Sequence, residues 1–310
     1  PSFHLTNVHP FRLSTNLTWK QNAKTIAGGN DEGYKLNQLS KPNGIYVDYQ
    51  QQSIYIADTD NHRIVKWKLG DKEGQIVAKE SRYDCLIYPI NVVIDKNYNS
   101  LIICDRENKQ VIRWSLENPQ DRQILIWNIS CIGLMMHENG DLFVCDNEKN
   151  AVKRWRKNGE KGTIVAGGNR KGRNLNQLNN PTYIFIDREE TVYVSDCENH
   201  RVMKWMKGAK EGIVVAGGHG QGKSLKQLSY PMGLVVTEVG DVYVADANNN
   251  RVMCWPLGSK EGRVIGGGNG FGEGSNQLWV PIGLSLDAEN NLYVVDHNNH
   301  RIQQFEVDKY

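Results

Sequence analysis

Three histidines, His62, His200 and His300, recur at one place in a repeated phrase, and six aspartates, Asp58, Asp105, Asp146, Asp196, Asp246 and Asp296, recur at another. Converging imidazoles hold zinc when a fourth position stays open, and carboxylates at alternate loop positions hold calcium. The spacing argues against both. The histidines fall on separate units of the array, and Asp58-Thr59-Asp60-Asn61 lacks the later ligands and bidentate Glu of a calcium loop. His297 and Cys197 each follow a turn aspartate, yet no nucleophile, base and orienting acid can be assembled from the linear order. What remains is recognition. Tyr83, Cys85, Tyr88, Arg106, Glu107, Trp127 and Glu148 combine aromatic anchors with charges, as ligand- or partner-binding surfaces do. Arg170, Lys171, Arg173, Lys223 and Lys226 form a second, basic group suited to phosphates or an acidic surface. No metal site and no cofactor are expected.

The elements that must position these residues are written six times: IYIADTDNHRIVKW (54–67), LIICDRENKQVIRW (101–114), LFVCDNEKNAVKRW (142–155), VYVSDCENHRVMKW (192–205), VYVADANNNRVMCW (242–255) and LYVVDHNNHRIQQF (292–305). Trp67, Trp114, Trp155, Trp205, Trp255 and Phe305 are spaced by 47, 41, 50, 50 and 50 residues, the period of a four-stranded propeller blade. Around the first copy, Pro42 and GIYVD alternate as an inner strand, 53–57 as a second, 63–69 as a third and 75–79 as a fourth. Each turn Asp is expected to accept N–H groups of its own turn. A large aromatic fixed at one strand position reads as packing between blades. The last copy stops after its third strand, and Lys24-Thr25-Ile26-Ala27-Gly28-Gly29 reads like a missing fourth. The expected fold is therefore an all-β six-bladed propeller of four-stranded antiparallel blades, its ring closed by the N-terminal strand. One domain is expected over 23–310, after an N-terminal extension at 1–22.

The signature [VIL]-Y-[VI]-x-D-x-x-N-H-R-[VI]-x-x-W, preceded by P-x-G-[IL]-x-[VL]-D, resembles the NHL repeat over about nine tenths of the chain. Asn61-His62-Arg63, Asn199-His200-Arg201 and Asn299-His300-Arg301 carry it best, Asn249-Asn250-Arg251 follows closely, and blades 2 and 3 depart from it. The resemblance implies a six-bladed propeller serving mostly as a binding platform, for protein in some members and RNA in others. A related amidating lyase holds zinc on histidines over the channel. The matching positions here are Asn43, Ile90, Ile132, Thr182, Met232 and Ile282, with no histidine.

In a repeat protein the residues shared by all copies belong to the fold, so function is sought where copies disagree. Four blades are entered through a long loop of fixed length, 28–42, 167–181, 217–231 and 267–281. The connections into blades 2 and 3 are about four and about ten residues shorter, and these blades carry Gln110 and Ala151 where the others carry Arg63, Arg201, Arg251 and Arg301. Each Arg is thus expected to donate to carbonyls of its own long loop. A depression should then lie above blades 2 and 3, lined by the recognition residues above. Cys104 and Cys145 stand where small buried residues recur, and a Cys131–Cys145 bridge is sterically possible.

The net charge of +2 gives no global pull toward nucleic acid, and no apolar run is long enough to span a bilayer. Asn16-Leu17-Thr18 and Asn128-Ile129-Ser130 are glycan acceptors if the chain is secreted. Pro1 begins the chain without a basic, apolar leader, so that end carries no compartment signal. The expectation is a monomeric, extracellular, non-catalytic platform that binds a protein or glycan through its loop-bearing face, with a cytoplasmic location as the alternative. Two other readings compete: a hydrolase or lyase at the channel mouth, and RNA binding through the basic loops of blades 4 and 5.

Overall fold

The computed structural model describes residues 17–79, 86–157 and 159–308. Among these the chain forms six four-stranded antiparallel sheets. Blade 1 runs outward through Pro42–Asp48, Ser53–Asp58, Arg63–Lys68 and Gln75–Lys79. Blades 2 to 5 repeat that order over 89–127, 131–167, 181–217 and 231–267. The sixth combines Pro281–Leu286, Leu292–Asp296 and Arg301–Phe305 with Lys24–Gly28 from the other end of the chain. Each inner strand lies against the inner strands of both neighbours, all the way round.

Strand side chains alternate between two faces, and every residue of the second strand of each blade is buried, so both faces of a blade are covered. Ile54, Ile56, Val65 and Trp67 point into the layer shared with Tyr293, Val295 and Ile302 of blade 6. Their chain neighbours Tyr55, Ala57 and Ile64 point the other way, onto Val92, Leu101 and Trp114 of blade 2. A blade is therefore buried on both faces, and the repeated indoles are the mortar between blades rather than a ligand platform. Around the axis space is short. A Cβ at Gly44 would meet the carbonyl of Ile90 at 2.6 Å, so glycine there lets adjacent inner strands approach.

Lys24 pairs with Gln304 and Gly28 with Arg301, so the N-terminal strand supplies the outer edge of the last blade. Residues 17–22, outside the repeat array by sequence, continue this seam. Trp19 bridges to Val307, is buried edge-on against Tyr243, and donates its indole N–H to the Asn290 carbonyl at 3.1 Å.

Candidate functional site

The shared residues of the motif act as pins. Asp58 is fully buried, and its carboxylate does not cap its own turn: Oδ1 accepts the N–H of Ser40 in the incoming loop at 2.7 Å. Oδ2 accepts Arg63 Nε at 2.6 Å and the Asn61 amide at 2.9 Å. Burial raises the Asp58 pKa, and these donors oppose the rise. The rest of the Arg63 guanidinium donates to the carbonyls of Tyr34, Lys35 and Gln38 in the long loop. Arg201, Arg251 and Arg301 hold their own loops in the same way. In blade 2, Gln110 donates to Asp105 at 2.6 Å, and in blade 3 Lys153 reaches Asp146 at 2.6 Å. Both satisfy the buried carboxylate, and neither has a long loop to hold.

The motif histidines staple one blade to the next. His62, His200 and His300 adopt left-handed backbone conformations, with φ of 51°, 53° and 50°. Each uses Nδ1 to accept a backbone N–H from the following blade: Tyr88 at 3.1 Å, Tyr230 at 3.2 Å and Lys41 at 3.1 Å. Asn150 and Asn250 make the same bond through Oδ1, to Asn180 and Val280, each at 2.9 Å. The rings are thus committed to the neutral, Nε2-protonated form.

Burial lowers the pKa of His200 and His300, against the opposing pull of Glu198, Asp196 and Asp246 on the first and of Glu32, Asp60 and Asp58 on the second. A base with a lowered folded pKa binds fewer protons folded than unfolded. Its contribution is complete above the unfolded value near 6.5 and is lost as pH falls below it. These two staples together are expected to contribute roughly 1–2 kcal/mol less stability at about pH 5 than at about pH 8. The buried turn aspartates titrate in the opposite sense, so the comparison is with the His200→Asn, His300→Asn variant. Urea unfolding should show it matching wild type at the higher pH and surpassing it at the lower; parallel pH curves would count against the staples.

One junction lacks these devices. Between blades 2 and 3 the left-handed residue is Lys109, which offers no acceptor. The next staple is missing as well. Thr59 donates to the Pro89 carbonyl at 2.7 Å, Asn147 to Pro181 at 3.0 Å, and His297 contacts Pro42 at 2.9 Å; the equivalent Arg106 is exposed, and Cys197 and Ala247 make no such bond but belong to junctions that keep the first staple. This junction is joined instead by a disulfide, Cys104–Cys131, with both residues fully buried, and by the Lys109–Glu148 ion pair at 2.6 Å. The Cys131–Cys145 bridge that the sequence left possible is not formed, and Cys145 is a free buried thiol. Strand alternation gives the reason: Cys131 faces the layer shared with blade 2, while Cys145 faces Ile184 and Val194 of blade 4, so the sheet of blade 3 separates them.

The described residues expected to bind a partner lie on the connections and turns of blades 2 and 3. Trp127 pairs with Gln110 at the place where Gly28, Gly167, Gly217 and Gly267 end their strands. Those glycines have φ near +66° to +71°, and a Cβ on Gly167 would meet the Asn150 carbonyl at 2.5 Å. The long loop demands glycine, and its loss frees the position for an indole that is 68% exposed. Tyr88 is half-exposed, edge-on to His62, and its carbonyl accepts the Arg106 N–H at 3.4 Å. Glu107 donates its N–H to Ile87, and Glu148 is held by Lys109. Tyr83 and Cys85 lie outside the described residues. The basic residues Arg170, Lys171, Arg173, Lys223 and Lys226 are all exposed on two successive loops, with Lys171 paired to Glu198 at 3.3 Å.

At the inner strands, the equivalent partly exposed side chains are Tyr46, Val93, Met135, Phe185, Val235 and Ser285, a row with no carboxylate, imidazole or thiol. No cluster of three or more His, Cys, Asp and Glu able to hold a metal is found among the described residues.

Residues 39–67, 228–255 and 278–305 match the NHL repeat family. No curated protein sequence matches the chain. An auxiliary nutrient binding protein from Bacteroides ovatus superposes with a TM-score of 0.72 at 13% identity, over 95% of this chain and 78% of that one. A gluconolactonase from Xanthomonas campestris superposes with a TM-score of 0.66 at 12% identity, over 96% and 99%. A streptogramin B lyase gives 0.59 at 8% identity, over 89% and 97%. A binding protein and two enzymes share this architecture, and the likeness is one of fold alone.

Proposed function

We propose that this chain, an NHL-repeat protein folded as a six-bladed β-propeller, is a non-catalytic platform that binds a protein or glycan partner above blades 2 and 3. One observation carries the reading. The two blades that lost both long loop and bracing arginine expose Trp127, and their connections and turns also carry the exposed Tyr88, Arg106, Glu107 and Glu148. A large exposed aromatic ringed by hydrogen-bonding groups is what recognition surfaces use. A buried disulfide favours an extracellular location, because such bonds persist in oxidising compartments.

The test is a screen of immobilised glycans and of displayed extracellular proteins with wild type and the Trp127→Ala variant. A genuine ligand should bind the variant at least tenfold more weakly, the scale of a central aromatic contact. The variant's melting temperature should be unchanged, since the indole is solvent-exposed. Ligands that bind both forms equally would place the site elsewhere.

A further inference from the structure

The connection from blade 2 to blade 3 spans only Asn128, Ile129 and Ser130, and it is pinned at its centre. Ile129 is buried, and its N–H donates to the Lys109 carbonyl at 2.9 Å. The carbonyl of Ser130 accepts the N–H of Asn147, also at 2.9 Å. Asn128 is left as the exposed corner, with φ of 53°. Of the other asparagines in left-handed turns, Asn150 and Asn250 staple blades, Asn180 bonds Asn147 and Glu198, and Asn99 bonds Glu117, while Asn290, whose Oδ1 also lacks a partner, is buried. The Asn128 amide has no hydrogen-bond partner among the described residues. Its sequence, Asn128-Ile129-Ser130, is an acceptor triplet.

A triplet alone says little in a chain rich in asparagine. The second observation is independent: Cys131, the next residue after the triplet, is disulfide-bonded to Cys104. That bond needs the oxidising lumen in which acceptor asparagines are also modified.

We propose that Asn128 carries an N-linked glycan. The co-reactant is a lipid diphosphate-linked oligosaccharide. The amide Nδ2 attacks the first sugar's anomeric carbon, the C–N bond forms, the C–O bond to the lipid diphosphate breaks, and the amide proton leaves with a base. No oxidant or reductant is consumed. The glycan then rises from the residue next to Trp127. The proposal shares with the platform reading only the compartment, and its readout needs no partner.

The test expresses the full chain behind a secretion signal in a eukaryotic cell, with Asn16→Gln so that a single acceptor triplet remains. Peptide mapping of the secreted protein should find most Asn128 glycosylated. Peptide N-glycosidase should convert it to aspartate and collapse the protein to the mobility of the Asn128→Gln variant, itself secreted with Cys104–Cys131 formed. Secreted protein with that disulfide intact and Asn128 bare would overturn the proposal.

Discussion

A chain shortened to residues 30–310 is expected to lose several kcal/mol of stability, enough to unfold it or drive it into association. The deletion removes the outer strand of blade 6 and leaves the ladder edge of Arg301–Phe305 unpaired. Such an edge recruits other chains. Also lost are Trp19 and Ala27, both buried at the seam. Removing one buried indole costs about 3–5 kcal/mol, a large part of the roughly 5–15 kcal/mol that holds a domain together. Thermal unfolding with size-exclusion chromatography reads the outcome. Adding a synthetic peptide of residues 17–29 should restore the transition if closure is the cause. A monomeric truncation with an unchanged melting temperature would mean that the ring does not depend on its seam.

Replacing Cys104 and Cys131 together by serine should cost roughly 3–4 kcal/mol, the loop-entropy value for a cross-link over 27 residues. The loss should be local in its onset. This junction has lost both hydrogen-bonded staples, so hydrogen exchange should accelerate first in Ser100–Asp105 and Cys131–Met136. Blades 4 and 5 keep their staples and should respond only at global unfolding. Unchanged exchange at the junction in the double variant would show that packing alone holds blades 2 and 3 together.

Much of this was legible in the sequence because repetition is a control experiment run inside one chain. The strands Pro42–Asp48 and Gln75–Lys79, the closing strand near Lys24 and the inter-blade place of Trp67 follow from period and alternation. The bond from Arg63 to its loop follows from a covariation: where the loop is short, the arginine is gone.

Other parts were not legible, for definite reasons. Asp58 was expected to serve its own turn, but its oxygen reaches Ser40, eighteen positions earlier, and that contact exists only once the loop has folded over. The sequence places the three imidazoles on separate blades but hides their task, because each acts on the next blade, 26 and 30 residues on for His62 and His200 and across the ring closure for His300. The register puts Cys131 opposite Asp146, close to Cys145, and only the direction of side chains across the sheet decides for Cys104. Trp127 stood out as part of the recognition set at the shortened connection, and its exposure depends on the loop that is not there.

Six near-identical blades pose a problem of address that the shortened connections solve. A visitor arriving along the axis of a uniform wheel meets the same surface at every sixty-degree step, and no orientation is preferred. Two neighbouring shortened connections turn the wheel into a keyed dial, with the exposed Trp127 at the mark and every other blade at a bearing counted from it. Grafting a long loop and its arginine onto blade 2 would blur the mark without touching the ring.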